Sequence, residues 1–259
     1  TDKQTDGLKL EWGNEDIVYE LIRKIATREG FGNILADGFK PAIAKIGKGS
    51  DYYAIQVKGM SNLHSDERPT PSFALGIATA TRGSDHLRSR PAIDLYGLPE
   101  EALEEIYEGP VSSDSTSYEG KARMVWWQER LYAVTDAIGV CKFQTVFCAV
   151  HAPKWNEYSK LIQLATGMEL SKPQLMEIGE RIYTLERLFN RKDDALSDRY
   201  FKEPTPIGLP AAKGKTIDRG RFEKMLDEYY SLHKWDQDGV PTKEALEQLK
   251  LDKEPTHVI

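Results

Sequence analysis

"KARMVWWQERLYAVTDAIGVCKF", residues 121–143, is the stretch on which the reading of this chain turns. From Lys121 to Ala137 it reads as one long helix, uninterrupted by proline or glycine. The chain then meets Gly139 and Cys141, the latter one of only two cysteines. By residue chemistry alone Cys141 has two readings. It is a small thiol packed among apolar neighbours, or one ligand of a metal site whose other ligands lie elsewhere.

Outward from this helix the pattern stays helical. In "NEDIVYELIRKIATREG" Ile17, Leu21 and Ile25, with Val18 and Ile22, recur at helical spacing, Asn14 is a natural N-cap and Gly30 a natural stop. "GNILADGFKPAIAKIGKGS" adds two shorter helices broken at Gly38 and at Gly47 to Gly49, and "DYYAIQVKGM" is a strand or an extended connection. A domain boundary is expected near Lys58. The small residues of "SFALGIATATRGSDHLRSRP" suit tightly packed backbone that a large ligand can approach. "PEEALEEIYEG" reads as a short acidic helix and "VSSDSTSYEG" as a flexible loop. Further helices are expected near 155–166, 173–190, 218–232 and 242–250, with a proline-punctuated surface segment from Arg191 to Gly214. Alternating strand patterns are nearly absent, so the expected class is mainly α with few or no strands.

The 259 residues are 40% hydrophobic and 29% charged, an ordinary balance for a globular chain. A formal charge of −6 argues against a broad nucleic-acid surface, which clusters excess Lys and Arg. No apolar run approaches the roughly 20 residues that span a bilayer. The opening "TDKQTDGLKLEWGNED" is polar, carries no signal-peptide pattern and lacks an initiating Met, as expected of a piece of a longer polypeptide or a processed product. Two cysteines make no disulfide framework, which favours a reducing, cytoplasmic setting.

Two suggestive motifs fail on spacing. In "GLPAAKGKT" five residues separate Gly208 from Gly214 where a phosphate-binding loop needs four, and no strand precedes it. In "KWDQDGVPTKEA" a calcium loop aligned on Gly239 would begin at Lys234 and end at Ala245, without the bidentate carboxylate. That segment is expected to link two helices. "RGSDHLRSR" is more informative, because three arginines surround His86. Guanidinium forks suit phosphate or carboxylate, and histidine moves protons near neutral pH. A solvated arginine-rich turn explains it equally well. Cys141, Cys148 and His151 are too widely spaced for a self-contained zinc site, and Cys148 in "TVFCAV" is expected to pack as a small hydrophobe.

The same residues carry a family resemblance. "RGSDHLR", "DAIGVCKF", "ERIYTLERLFNRKDDALSDRYFKEP" and "LDEYYSLHKWDQDGVPTKEALEQL" resemble the C-terminal part of the aldehyde ferredoxin oxidoreductase family of tungsten enzymes. The opening stretch from Thr5 to Gly38 is similar to the middle of that family's second domain. The most specific element is D-x-x-G-x-C, matched by Asp136, Gly139 and Cys141. The resemblance implies helical C-terminal domains of this type, with 1–58 the end of a helical middle domain and 59–259 the C-terminal helical domain.

It also implies a tungsten (or molybdenum) bis-molybdopterin site beside a 4Fe-4S cluster. Cys141 stands at the fourth cluster cysteine, Asp136 at a pterin-binding aspartate, and Val140 and Lys142 flank the cysteine where the family touches the pterin. Arg88 falls on another pterin contact, and His86 on the histidine that handles protons near the metal. The family's N-terminal pterin-cradling domain and its C-x-x-C-x-x-x-C segment are absent here. This segment alone is therefore expected to be inactive, its partners being the missing N-terminal part of the enzyme and ferredoxin or electron-transfer subunits, in an oligomer and an anaerobic cytoplasm. The implied reaction oxidises an aldehyde to a carboxylate. The alternatives are a class II benzoyl-coenzyme A reductase catalytic subunit, for which Tyr96 and the tryptophan-rich helix suit an aromatic pocket, and a non-catalytic helical assembly module.

Overall fold

The computed structural model describes residues 5–62, 70–145, 149–190, 194–205 and 213–253. Cys148, His64, His257 and most of "GLPAAKGKT" lie outside the described residues. The chain divides into two compact units, Thr1–Asn62 and Leu63–Ile259.

In the first unit α1 spans Glu15–Thr27, and the Asn14 side chain accepts the Ile17 N–H at 3.3 Å, the expected cap. The helix stops earlier than Gly30. Arg28 turns left-handed at φ 57°, and Gly30 instead opens α2 (Gly30–Ala36). The glycines here serve close packing: a Cβ on Gly32 would fall 2.3 Å from the Lys24 carbonyl carbon of α1. Ile17, Leu21 and Ile25 are half-buried while Val18 and Ile22 remain exposed. Helix α3 (Phe39–Ile46) follows, and then a minimal antiparallel pair, β1 (Gln56–Val57) and β2 (Met60–Ser61). These are the only strands among the described residues, so the class is mainly α.

The second unit is built around α6 (Lys121–Ala137). Helix α4 (Pro71–Thr79) is buried along its whole length, made possible by its small residues. A Cβ on Gly76 would meet Ser89 Oγ at 2.2 Å. Helices α5 (Glu100–Tyr107), α7 (Trp155–Thr166) and α8 (Lys172–Phe189) follow. The last three are α9 (Arg199–Lys202), α10 (Arg219–His233) and α11 (Lys243–Gln248). Helices α4, α8 and α10 all pack on α6. Along the α6–α8 seam Gly179 lies where a Cβ would come 2.4 Å from the Arg130 carbonyl oxygen, so the two backbones nearly touch.

The tryptophan-rich helix supplies core. Trp127 is buried between Tyr107 and Trp155, each edge-on with ring centroids 5.3 and 5.6 Å away. Its Nε1 donates to Glu108 at 3.1 Å. Trp127 is thus a core residue, and Tyr96 is 47% exposed. Charged residues are buried in pairs. Lys121 and Asp94, both fully buried, meet at 2.5 Å, with Ser72 Oγ donating to the second Asp94 oxygen at 2.6 Å.

The proline-punctuated segment differs from a plain surface loop. Asp194, Leu196, Tyr200 and Thr205 are buried, and Asp194 takes both arms of the Arg187 fork at 2.7 Å. Near Gly239 the Asp236 carboxylate accepts the N–H groups of Asp238 (3.0 Å) and Val240 (2.8 Å), closing a turn between α10 and α11. That is the linker expected from the spacing.

Candidate cofactor-binding site

The last turn of α6 shapes the site. At its end Ile138 is the C-cap and Gly139 sits at φ 75°, left-handed backbone that favours glycine. The Val140 N–H returns to the Thr135 carbonyl at 2.8 Å and the Gly139 N–H to that of Asp136 at 3.2 Å. These are the two bonds of a Schellman motif. The reversal sends Val140, Cys141 and a 3-10 turn at Lys142–Gln144 back beside the helix end. Sequence spacing thus becomes proximity: Lys142 Nζ donates to Asp136 Oδ1.

A second 3-10 turn, His86–Arg88, is capped by Asp85, whose carboxylate accepts the Leu87 N–H at 2.8 Å. It carries Arg88 to the other Asp136 oxygen, Nη1 to Oδ2 at 2.8 Å. The second arm of the same guanidinium donates to Glu186 on α8, and Thr81 Oγ1 donates to that Glu186 oxygen at 2.5 Å. Glu186, Arg88, Asp136 and Lys142 therefore form a row of alternating charge. Burial opposes the Arg88 charge, but Glu186, Tyr183 and Asp136 outweigh it and raise its pKa. Lys142, buried over the Tyr132 ring at 5.0 Å, has its pKa lowered, burial outweighing the Asp136 contact.

An open pocket of about 520 Å³ lies over this row, lined by Asp136, Val140, Cys141 and Lys142 together with Arg82, Leu87 and Phe143. Four of the residues marked in the sequence are thus in one wall, and Arg88 is tied to that wall through Asp136. Cys141 is an exposed free thiol, which overturns the packed-hydrophobe reading. It shares the pocket wall with the charged Asp136 and Lys142 and with the apolar Leu87, Val140 and Phe143. His86 does not line this pocket. It is half-buried, its Nδ1 has no hydrogen-bond partner, and burial together with Arg90 lowers its pKa. The three arginines do not converge on one anion: Arg82 pairs with Asp85, Arg88 with Asp136 and Glu186, and Arg90 lies 5.0 Å over Phe73. Glu186 and Thr81 escaped the sequence reading, because an acid on a helix and an isolated threonine carry no spacing signal.

The donor set suits a polar heterocycle. The Asp136 side chain is 42% exposed, so its oxygens retain acceptor capacity toward the pocket for N–H donors. An iron–sulfur cluster fits only in part. Among the described residues no three His, Cys, Asp or Glu side chains are grouped to hold a metal ion, and Cys141 is a lone exposed thiol at this wall.

A family model described as aldehyde ferredoxin oxidoreductase, domains 2 & 3, matches residues 1–251. The chain belongs to the aldehyde ferredoxin oxidoreductase family. It is 33% identical over 254 residues to the tungsten-containing aldehyde ferredoxin oxidoreductase of Pyrococcus furiosus, covering 94% of this chain and 38% of that protein. A second Pyrococcus furiosus relative, an aliphatic sulfonate oxidoreductase WOR-like subunit, is 28% identical over 95% of this chain and 36% of its own length. Among solved structures, the active-site complex BamBC of benzoyl coenzyme A reductase with 1,5-dienoyl-CoA matches with a TM-score of 0.67 and 25% identity, covering 97% of this chain and 41% of that one. The chain thus spans about two-fifths of the length of these family members. Among the described residues no helix is long and apolar enough to cross a membrane.

Proposed function

We propose that this chain forms one wall of a tungsten–bispterin site in a cytoplasmic oxidoreductase that converts an aldehyde and water to a carboxylate, passing two electrons to ferredoxin. The supporting observation is that D-x-x-G-x-C folds into a Schellman turn presenting Asp136, Val140, Cys141 and Lys142 to one pocket. The family's tungsten relatives support the metal. When bound, the metal–pterin group supplies redox capacity and Lewis acidity.

This chain's residues have distinct tasks. Asp136 accepts hydrogen bonds from pterin N–H groups, and Arg88 and Lys142 hold its carboxylate in place. Val140 lines the pocket beside them. The Cys141 thiolate is one soft ligand for cluster iron, with the remaining cysteines outside this chain. His86 is the proton-handling residue of this reading, and its pKa, lowered by burial and by Arg90, favours the neutral imidazole.

The backbone likeness to the benzoyl coenzyme A reductase complex favours a second reading, reduction of an aromatic thioester. Assay of the complete protein with ferredoxin and short-chain aldehydes, beside an aromatic acyl-coenzyme A, separates the two. Aldehyde-dependent ferredoxin reduction supports the first, and thioester turnover alone selects the second. Absence of tungsten, molybdenum and iron from the purified complete protein would leave a non-catalytic module.

A further inference from the structure

Glu186 lies on α8, outside the D-x-x-G-x-C motif and off the pocket wall. We propose that Glu186 is a positioning residue: it holds Arg88 so that only one arm reaches Asp136, fixing that carboxylate before the cofactor arrives. This rests on the reading of Asp136 as a pterin-binding residue.

The geometry makes the division of Arg88 depend on Glu186. The Arg88 side chain is 5% exposed, and its two terminal nitrogens go to different acids, Nη1 to Asp136 and Nη2 to Glu186. A guanidinium facing a single carboxylate prefers the two-armed fork. Without Glu186, the buried second arm has no acid other than Asp136 within this row. Rotation into that fork would draw the Asp136 carboxylate inward and remove acceptor capacity from the pocket. Glu186 is itself well anchored. Thr81 Oγ1 donates to its carboxylate, and the next residue, Arg187, is locked to Asp194 by a buried bidentate pair. The row Glu186–Arg88–Asp136–Lys142 also balances two negative charges with two positive ones, so neither buried cation is left without a counter-charge.

The test uses the complete enzyme produced with tungstate, measuring pterin retained per chain after gel filtration from the fluorescence of the oxidised pterin. Glu186→Gln keeps the side-chain size and removes the charge that holds the second arm. Retained pterin should fall about tenfold, the scale on which residues that orient a binding group act. Tyr230→Phe is the structural control. It removes the 2.6 Å bond to Asp194 that steadies the Arg187 pair one residue away, without touching Arg88. It should lower the urea midpoint while keeping pterin near the wild-type level. Wild-type pterin in Glu186→Gln overturns the proposal, as does a loss no larger than that of Tyr230→Phe at matched stability. Should Glu186→Gln fail to accumulate, Thr81→Val loosens Glu186 alone. A severalfold loss there supports the proposal, and no loss overturns it. Asp136→Asn separates the two levels: undiminished pterin in that variant removes the underlying reading of Asp136 itself.

Discussion

The imidazole of His233 and the carboxylate of Glu129 are fully buried partners, with Nε2 standing 2.5 Å from Oε1. The other ring nitrogen is 2.5 Å from Glu180 Oε1, and Tyr229 OH donates to Glu129 at 2.8 Å. Trp235 stacks on the His233 ring at 4.2 Å and 15°, and the Tyr183 ring lies nearly parallel to it at 5.8 Å. One side chain at the end of α10 thereby ties it to α6 and α8.

This triad makes stability pH-dependent. Burial alone would push the His233 pKa down, but Glu180 and Glu129 outweigh it and raise it to about 9. A raised folded-state pKa stabilises fully below the unfolded value near 6.5, and the contribution is lost as pH rises through 9. Urea titrations followed by tryptophan fluorescence should show the midpoint falling between pH 7 and 10. His233→Gln should be less stable at pH 7, by about 3–5 kcal/mol for a broken buried pair, with a flatter profile above it. A wild-type midpoint constant to pH 10 contradicts the assignment of the charge.

Gly179→Ala tests whether propensity or packing governs the α6–α8 seam. Alanine is better than glycine inside a helix by about 1 kcal/mol. Its Cβ would sit 2.4 Å from the Arg130 carbonyl oxygen, which is backbone and cannot swing away. Overpacking costs of about 1–3 kcal/mol should win, so the variant is expected to melt earlier. A higher melting temperature would show that the helices separate freely.

Gly139→Ala isolates the left-handed turn. Nothing lies within 4 Å of the added Cβ, so the cost is backbone strain at φ 75°, about 1–2 kcal/mol. The fold should survive with a slightly lower urea midpoint. In the complete enzyme, however, pterin and iron content should both drop, because the turn sets Cys141 and Lys142 beside Asp136. Unchanged cofactor content would mean that this turn is not what orders the site.

Much of the scaffold was legible because local chemistry agrees with the fold. The bounds of α6, the Asn14 cap and the Asp236 turn all follow from residues acting on their own backbone. Gly30 misled because a glycine that permits close helix approach looks, in sequence, like one that ends a helix. The buried ionic groups were not legible. His233, Glu129, Glu180 and Glu186 sit on helices where a charge ordinarily faces water, and their partners come from distant segments. At the site, spacing alone leaves Cys141 open between core and ligand, and it is the family resemblance that puts it with Asp136. Why Cys141 is exposed was not legible, since that depends on the Schellman turn that reverses the chain.

On the proposed reading Cys141 is one iron ligand in the complete enzyme. Iron per chain measured by elemental analysis of anaerobically purified Cys141→Ser tests it most directly. Iron should fall severalfold below wild type while circular dichroism stays native, since the exposed thiol supports no packing. Wild-type iron content in a folded Cys141→Ser protein would rule out that ligand role.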